Sequence, residues 1–193
     1  MRQIATAPGA RRLVTRRWWV IGAVLVMILA IVGAVVLPAP EEPVRIENEV
    51  NISRTPQEVF DFVTTPGNWP KWHPSSLAVS GATDHPLRVG EQATEDYLVA
   101  GRPGRAVWTV IEREVPWRWK IEGHGQEGGG AWIVYTLTEQ AGTTLFKREM
   151  SYRMPNLLAA LLDPLLTRKA IATESAVAVQ QLKQVLEREA HGS

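Results

Sequence analysis

The stretch VNISRTPQEVFDFVTTPGNWPKWHPSS, Val50 to Ser76, decides the fold. It begins as the end of an alternating segment. Val44-Arg-Ile-Glu-Asn-Glu-Val-Asn-Ile52 interleaves apolar and polar side chains, the pattern of a half-buried strand. Thr55-Pro56 then opens a helix, because threonine caps a first turn and proline fits inside it. Val59, Phe60, Phe62 and Val63 give that helix an apolar side, and Thr65-Pro-Gly67 stops it. Asn68-Trp-Pro-Lys-Trp-His-Pro74 holds a second short helical turn with Trp69 and Trp72 on one face.

Downstream, six more segments read as strands: 77–83, 91–99, 106–115, 117–123, 131–139 and 143–153. The connections between them are short and rich in turn residues, as at His85-Pro86, Gly101-Arg-Pro-Gly104 and Ala141-Gly142, so the strands pair as antiparallel hairpins. Parallel crossovers need more chain than is available. The last forty residues change to helical period. Residues 156–162 and 165–189 read as helix, with a break expected at Asp163-Pro164. Leu165, Ile171, Val179, Leu182, Val185 and Leu186 form the apolar side, while Lys169, Glu174, Lys183, Glu187 and Glu189 are expected to face water. A strand, two short helices, a run of hairpins and one long helix make an α+β domain. The terminal helix is the available cover for the apolar face of the sheet.

Upstream lies a different kind of segment. Trp18 to Leu37 reads WWVIGAVLVMILAIVGAVVL, twenty residues without a charge. As a helix it is about 30 Å long, the thickness of a bilayer's hydrocarbon core. The net charge of +1 hides an asymmetry across it. Residues 1–17 hold five arginines and no acid, and everything after carries 16 Lys and Arg against 20 Asp and Glu, a net of −4. The positive-inside rule places the N-terminus in the cytoplasm and the larger part outside. A cleaved secretory signal is the competing reading. The apolar run exceeds the roughly 7–15 residues of a signal core, and Pro38-Ala-Pro40 offers no clean cleavage site. The expected organisation is a basic cytoplasmic tail (1–17), a single-pass transmembrane helix (18–37), a proline-rich spacer (38–43) and one domain (44–190).

Val50–Ser76, the Gly142-Thr-Thr-Leu-Phe146 strand and the closing ATESAVAVQQLKQVLERE helix (Ala172–Glu189) resemble, in this order, the START-related helix-grip superfamily. That superfamily includes the polyketide cyclase/dehydrase-like (SRPBCC) proteins. The resemblance implies a curved antiparallel sheet wrapped on a long C-terminal helix, with a cavity between them for a hydrophobic small molecule, a lipid or a polyketide. Some members catalyse cyclisation or dehydration, but catalytic residues are not shared across the superfamily, so no role transfers to a position here. The membrane segment departs from the common soluble form.

Several chemistries are excluded or unsupported. The absence of cysteine removes disulfides, thiolate metal sites and cysteine nucleophiles. His73, His85, His124 and His191 are scattered without metal-ligand spacing, so neither a metal nor any other cofactor is expected. Gly123-His-Gly-Gln-Glu-Gly128 matches GxGxxG, but both flanks are strand-like and the motif needs a helix after it, so it reads as a glycine-rich hairpin turn. The basic tail beside a span is topology, and nucleic acid is not an expected partner.

Within the domain, Glu95, Asp96 and Glu149 are the candidate catalytic carboxylates. Adjacent strand residues face opposite sides, so one of Glu95 and Asp96 faces the cavity, where an apolar setting would raise its pKa for acid–base work. The alternative is a solvated outer face. Arg148 sits among Phe146, Met150 and Tyr152 on one strand face; if that face points inward, Arg148 is a buried cation needing a carboxylate or an anionic ligand head group. Trp117, Trp119 and Ile121 are read as one inward face, either solid core or cavity wall, and Trp69 and Trp72 as packing for the short helices. The candidate ligand-binding residues are Tyr97, Trp108, Trp117, Trp119, Tyr135, Phe146 and Arg148. Three functions stand open: a membrane-anchored binder of a hydrophobic or amphipathic small molecule, a cyclase- or dehydratase-type enzyme using a cavity carboxylate with Arg148 or Tyr97, and an assembly module whose cavity is filled by tryptophan.

Overall fold

A computed structural model describes residues 10–125 and 130–189. Residues 1–9 with Arg2, the tip of the glycine-rich turn (126–129) and residues 190–193 with His191 lie outside the described residues. Helix α1 (Ala10–Val36) precedes β1 (Val44–Ile52), α2 (Pro56–Thr64), a 3-10 turn (Pro66–Asn68) and the one-turn α3 (Trp69–Trp72). The chain continues through β2 (Ser76–Gly81), β3 (Gln92–Val99), β4 (Arg102–Glu114), β5 (Arg118–Gly125), β6 (Gly130–Gln140) and β7 (Thr143–Arg153). It closes with α4 (Leu157–Leu166) and α5 (Arg168–Glu189).

The seven strands form one antiparallel sheet in the order β1-β7-β6-β5-β4-β3-β2. Consecutive hairpins run from β2 to β7, and β1 closes the far edge against β7 with Asn48 opposite Arg148. Helices α2 and α3 carry the chain from one edge to the other. The start of α2 is fixed by a reciprocal capping box: Glu58 N–H donates to Thr55 Oγ1 at 3.3 Å, and Thr55 N–H donates to Glu58 Oε2 at 2.9 Å. Val59, Phe60 and Val63 on this helix are fully buried.

Helix α5, about 33 Å of helix, buries Ala178, Val179, Leu182 and Leu186 against the sheet. Each of the larger side chains contributes roughly 1.5–3 kcal/mol relative to exposure. Its C-terminal end is tied to the turn after β1. Arg54 donates to the Leu186 carbonyl at 2.7 and 2.9 Å, Ser53 N–H donates to Glu187 Oε1 at 2.8 Å, and Lys183 Nζ donates to the Asn51 carbonyl at 2.7 Å.

Three expectations change. The helix does not break at Asp163-Pro164. α4 runs through Pro164 to Leu166, and Thr167 N–H still reaches the Asp163 carbonyl at 2.9 Å. The missing proline N–H is offset by the buried Asp163 carboxylate, which accepts from Tyr152 Oη at 2.9 Å and pairs with Arg168 at 3.0 Å. Leu165 therefore belongs to α4 and is 80% exposed, instead of supplying the core. Glu174 does not face water; its carboxylate accepts from Ser75 Oγ at 2.6 Å and from Ala100 N–H at 3.2 Å, latching α5 to the β2–β3 end of the sheet.

Residues 18–36 of α1 form one helix long and apolar enough to cross a membrane, with a mean hydropathy of 2.9 and none of that stretch buried. A membrane anchor and a signal sequence both have this composition.

Candidate functional site

Between the sheet and the last two helices lies a cavity of about 460 Å³, a volume suited to a small organic ligand. Its walls are mostly apolar: Trp69, Trp72, Trp108, Ile121, Ile133, Tyr135 and Met150. Exposed lining residues from the start of β4 (Arg102, Pro103, Arg105) and the end of β7 (Arg153, Pro155) rim the mouth. Helices α4 and α5 contribute Ala159, Ile171, Glu174 and Ser175.

The register of β4 shapes one wall. Trp108 pairs with Gly123 across the β4–β5 ladder, and a Cβ at Gly123 would overlap the Trp108 ring. Tyr97 likewise pairs with Gly104, where a Cβ would overlap the Tyr97 ring. Each glycine lets an aromatic ring lie over the neighbouring backbone, which keeps the ring out of the space in front of the sheet.

The floor is polar at one place. The even face of β7 points inward, with Phe146, Arg148 and Tyr152 all buried. Arg148 is 2% exposed, and its Nη1 donates to Ser175 Oγ of α5 at 2.7 Å. Its Nε has no hydrogen-bond partner, and among the described residues no carboxylate comes within 4.0 Å of the guanidinium. Two other cavity-lining residues, Trp72 and His73, also have buried ring nitrogens without a partner. Three of the six such side-chain atoms among the described residues line this cavity, whereas Asn48 Oδ1, Ser76 Oγ and Trp119 Nε1 do not; each costs about 1–3 kcal/mol unless something completes it.

Burial and the nearby Arg148 charge hold the His73 pKa down at about 3, so the imidazole is neutral. Burial pushes the Tyr135 hydroxyl up to about 12, so it is neutral too. Tyr135 packs among Trp72, Trp119 and Phe146 with ring centroids 6.3, 5.3 and 5.1 Å away. Of the three candidate carboxylates, Glu95 enters the cavity, where its Oε2 accepts from the Trp108 indole at 2.8 Å. Burial raises its pKa, opposed by Ser76, Trp108 and the Arg148 charge. Arg148 and Glu95 thus influence each other through the cavity without forming a contact ion pair.

The expected site residues divide clearly. Glu95, Tyr97, Trp108, Tyr135 and Arg148 line the cavity. Asp96 points outward, as adjacent strand residues must, and forms a two-point pair with Arg105 at 2.6 and 3.0 Å. Glu149 also lies on the outer face, 3.6 Å from Lys147. Trp119 and Phe146 are fully buried behind the Tyr135 ring and form core rather than cavity wall. Trp117 does not share the inward face of Trp119. Strand β5 starts one residue later, at Arg118, and Trp117 sits in the preceding turn with 41% exposure. Trp69 and Trp72 are packed as expected but also touch the cavity, as do His73 and Ser175, which sequence reasoning did not single out. Only the neighbouring tryptophans of the Trp69–His73 turn hinted at them. Among the described residues no group of three or more His, Asp or Glu is placed to hold a metal ion.

Residues 43–187 match the sequence profile of a family described as polyketide cyclase / dehydrase and lipid transport. No curated protein matches the chain. Among solved structures, the fold is similar to that of protein CV1439 from Chromobacterium violaceum, with a TM-score of 0.56 and 15% identity over 74% of this chain and 96% of that one. Protein Ms6760 from Mycobacterium smegmatis superposes with a TM-score of 0.56 and 18% identity, over 74% of this chain and 90% of that one. The Aha1 dimer from Colwellia psychrerythraea gives 0.53 and 20%, over 75% and 96%. At these identities the likeness establishes the fold alone.

Proposed function

The chain belongs to the polyketide cyclase / dehydrase and lipid transport family, and from that premise we propose that it is a membrane-anchored binder of one amphipathic small molecule. The ligand is lipid-like or polyketide-like, with an apolar body and a hydrogen-bond-accepting, acidic head. Its binding domain spans residues 44–190. Residues 18–37 hold that domain to the bilayer, with the N-terminus cytoplasmic and the domain outside, which raises the effective concentration of a membrane-derived ligand.

The observation that carries this reading is Arg148. A guanidinium at the floor of an apolar cavity, with one N–H unpartnered and no contact carboxylate, is costly unless an acceptor completes it. The Trp72 indole N–H, also unpartnered, is a second donor at the same cavity. Two donors and an apolar wall select an acceptor-rich head on an apolar body.

Extraction of the purified full-length chain followed by mass spectrometry tests it. The expected result is an acidic amphiphile retained by the wild type and depleted from an Arg148→Met variant. A chain that retains nothing beyond what the variant retains, and that binds no member of a panel of acidic amphiphiles, contradicts the proposal.

One observation favours a second, enzymatic reading. Glu95 is a cavity carboxylate whose pKa is raised by burial, the property a general acid or base needs near neutral pH. On that reading Glu95 moves a proton on a bound polyketide-like substrate while Arg148 steadies the developing oxyanion. Turnover of such a substrate lost in Glu95→Gln, with binding retained, supports it; unaltered turnover removes it.

A further inference from the structure

Helix α4 is inverted relative to an ordinary amphipathic helix. Its inward positions are small or polar: Asn156 caps the first turn by accepting from Ala159 N–H at 2.9 Å, Ala159 lines the cavity, and Asp163 is buried against Tyr152. Its outward positions are leucines. Leu161, Leu162, Leu165 and Leu166 are 61, 40, 80 and 53% exposed. A helix of a water-soluble domain turns its leucines inward, and a contiguous exposed apolar patch marks a surface that meets something.

The occupant follows from what α4 is attached to. Leu157 N–H, at the first residue of α4, donates to the Leu37 carbonyl at 3.0 Å, immediately after the end of α1. α4 packs on α1, whose Gly33 and Ala34 are half-buried in the otherwise exposed stretch 18–36. If α1 spans the bilayer, its last turn lies at the membrane surface, and α4 is held there with it. Lys169, three residues past Leu166, is exposed and placed as an interfacial cation that reaches lipid headgroups, while Arg168 is held by the Asp163 carboxylate.

We propose that α4 is a membrane-interface helix, its leucines buried in the leaflet where α1 ends, and that the cavity mouth beside it receives its ligand from that leaflet. The inference rests on the reading of α1 as a membrane span. Ala159 on one side of α4 and Leu161 and Leu165 on the other place the cavity and the bilayer one helix apart, so an amphiphile leaving the leaflet avoids a passage through bulk water.

The cysteine-free chain allows single-site labelling without background. The full chain, reconstituted in phosphatidylcholine vesicles, carries an NBD fluorophore at Val24→Cys in α1, Leu165→Cys in α4 or Ala176→Cys on the exposed side of α5. The expected result is a blue-shifted emission quenched by doxyl-labelled lipid at positions 24 and 165, and an unshifted emission quenched by iodide at position 176. Lipid quenching at 24 with iodide quenching at 165 overturns this inference and leaves the anchor standing. Iodide quenching at both defeats the anchor and the inference together. A blue shift at 165 that neither quencher reaches means that protein covers α4, a second copy included, and also overturns it. As a separate readout, Leu161→Glu with Leu165→Glu changes only exposed positions. The pair is expected to slow transfer of cis-parinarate from vesicles to the protein several-fold, and an unchanged transfer rate overturns the entry route.

Discussion

Replacing Arg148 with methionine separates ligand recognition from folding, because the two respond in opposite directions. Methionine fills a similar volume without a charge. The guanidinium is 2% exposed, donates to Ser175 Oγ and to the weak acceptor Met150 Sδ, and has no contact carboxylate to offset its desolvation. Exchanging a buried charged group for a hydrophobic one of similar size is commonly neutral or stabilising by about 1–4 kcal/mol. Against that stands an orphaned Ser175 hydroxyl, which costs about 1–3 kcal/mol. The Arg148→Met, Ser175→Ala pair removes that cost, so its thermal midpoint is expected to equal or exceed that of the wild type. Binding moves the other way. A charge-assisted hydrogen bond to the ligand head contributes about 1.5–3 kcal/mol, which converts to a loss of affinity of roughly 10- to 150-fold. The assay titrates the fluorescent acid cis-parinarate and its methyl ester into wild type and variant. The wild type is expected to prefer the acid, and the variant to bind both equally. A variant that keeps the preference for the acid refutes the assignment of Arg148 as the head-group contact.

Four further outcomes follow from the same geometry. Burial raises the folded pKa of Glu95 above its usual 4.5, so its favourable contribution is present below that value and is lost as pH rises through the raised one. Glu95→Gln is therefore expected to gain stability relative to wild type at neutral pH and to flatten this fall, as read by thermal denaturation across pH. The folded pKa of His73 is depressed from 6.5 to about 3, so its contribution is present above 6.5 and is lost as pH falls toward 3. NMR is expected to show its imidazole neutral throughout the range from pH 7 to pH 5. Gly123→Val pushes the Trp108 ring toward the cavity, and is expected to cost about 1–3 kcal/mol of stability together with a loss of parinarate affinity. Asp96→Asn and Glu149→Gln, on the outer face, are expected to leave parinarate affinity unchanged in the same titration.

The alternation of β1, the Thr55-Pro56 start of α2 and the hairpin spacing were legible because they rest on local rules of period, capping and turn chemistry. β1 and β7 fall at the residues the alternation indicates, Val44–Ile52 and Thr143–Arg153. The helix through Pro164 was not legible, because what holds it is a long-range contact between Asp163 and Tyr152. For the site, period-2 reasoning separated Glu95 from Asp96 but could not say which of them faced inward. That was decided by the pairing of β3 with β4, which sets Asp96 opposite Arg105 on the solvent side. Trp117 was misplaced because a single-residue shift in the start of β5 moves a side chain out of the alternating face. The convergence of Trp72, His73, Arg148 and Ser175 joins a short helical turn, a strand and the last helix, and no local pattern carries that information.

The most direct test of a membrane-derived amphiphile in the cavity is photolabelling of the full chain in vesicles with a diazirine-bearing long-chain carboxylate, mapped by peptide mass spectrometry. The account predicts adducts on cavity residues of β3, β4 and β6, among them Tyr97, Trp108 and Tyr135, displaced by excess unlabelled acid and reduced in Arg148→Met. Labelling confined to α1, or adducts on β3, β4 and β6 that excess acid does not displace, would contradict it.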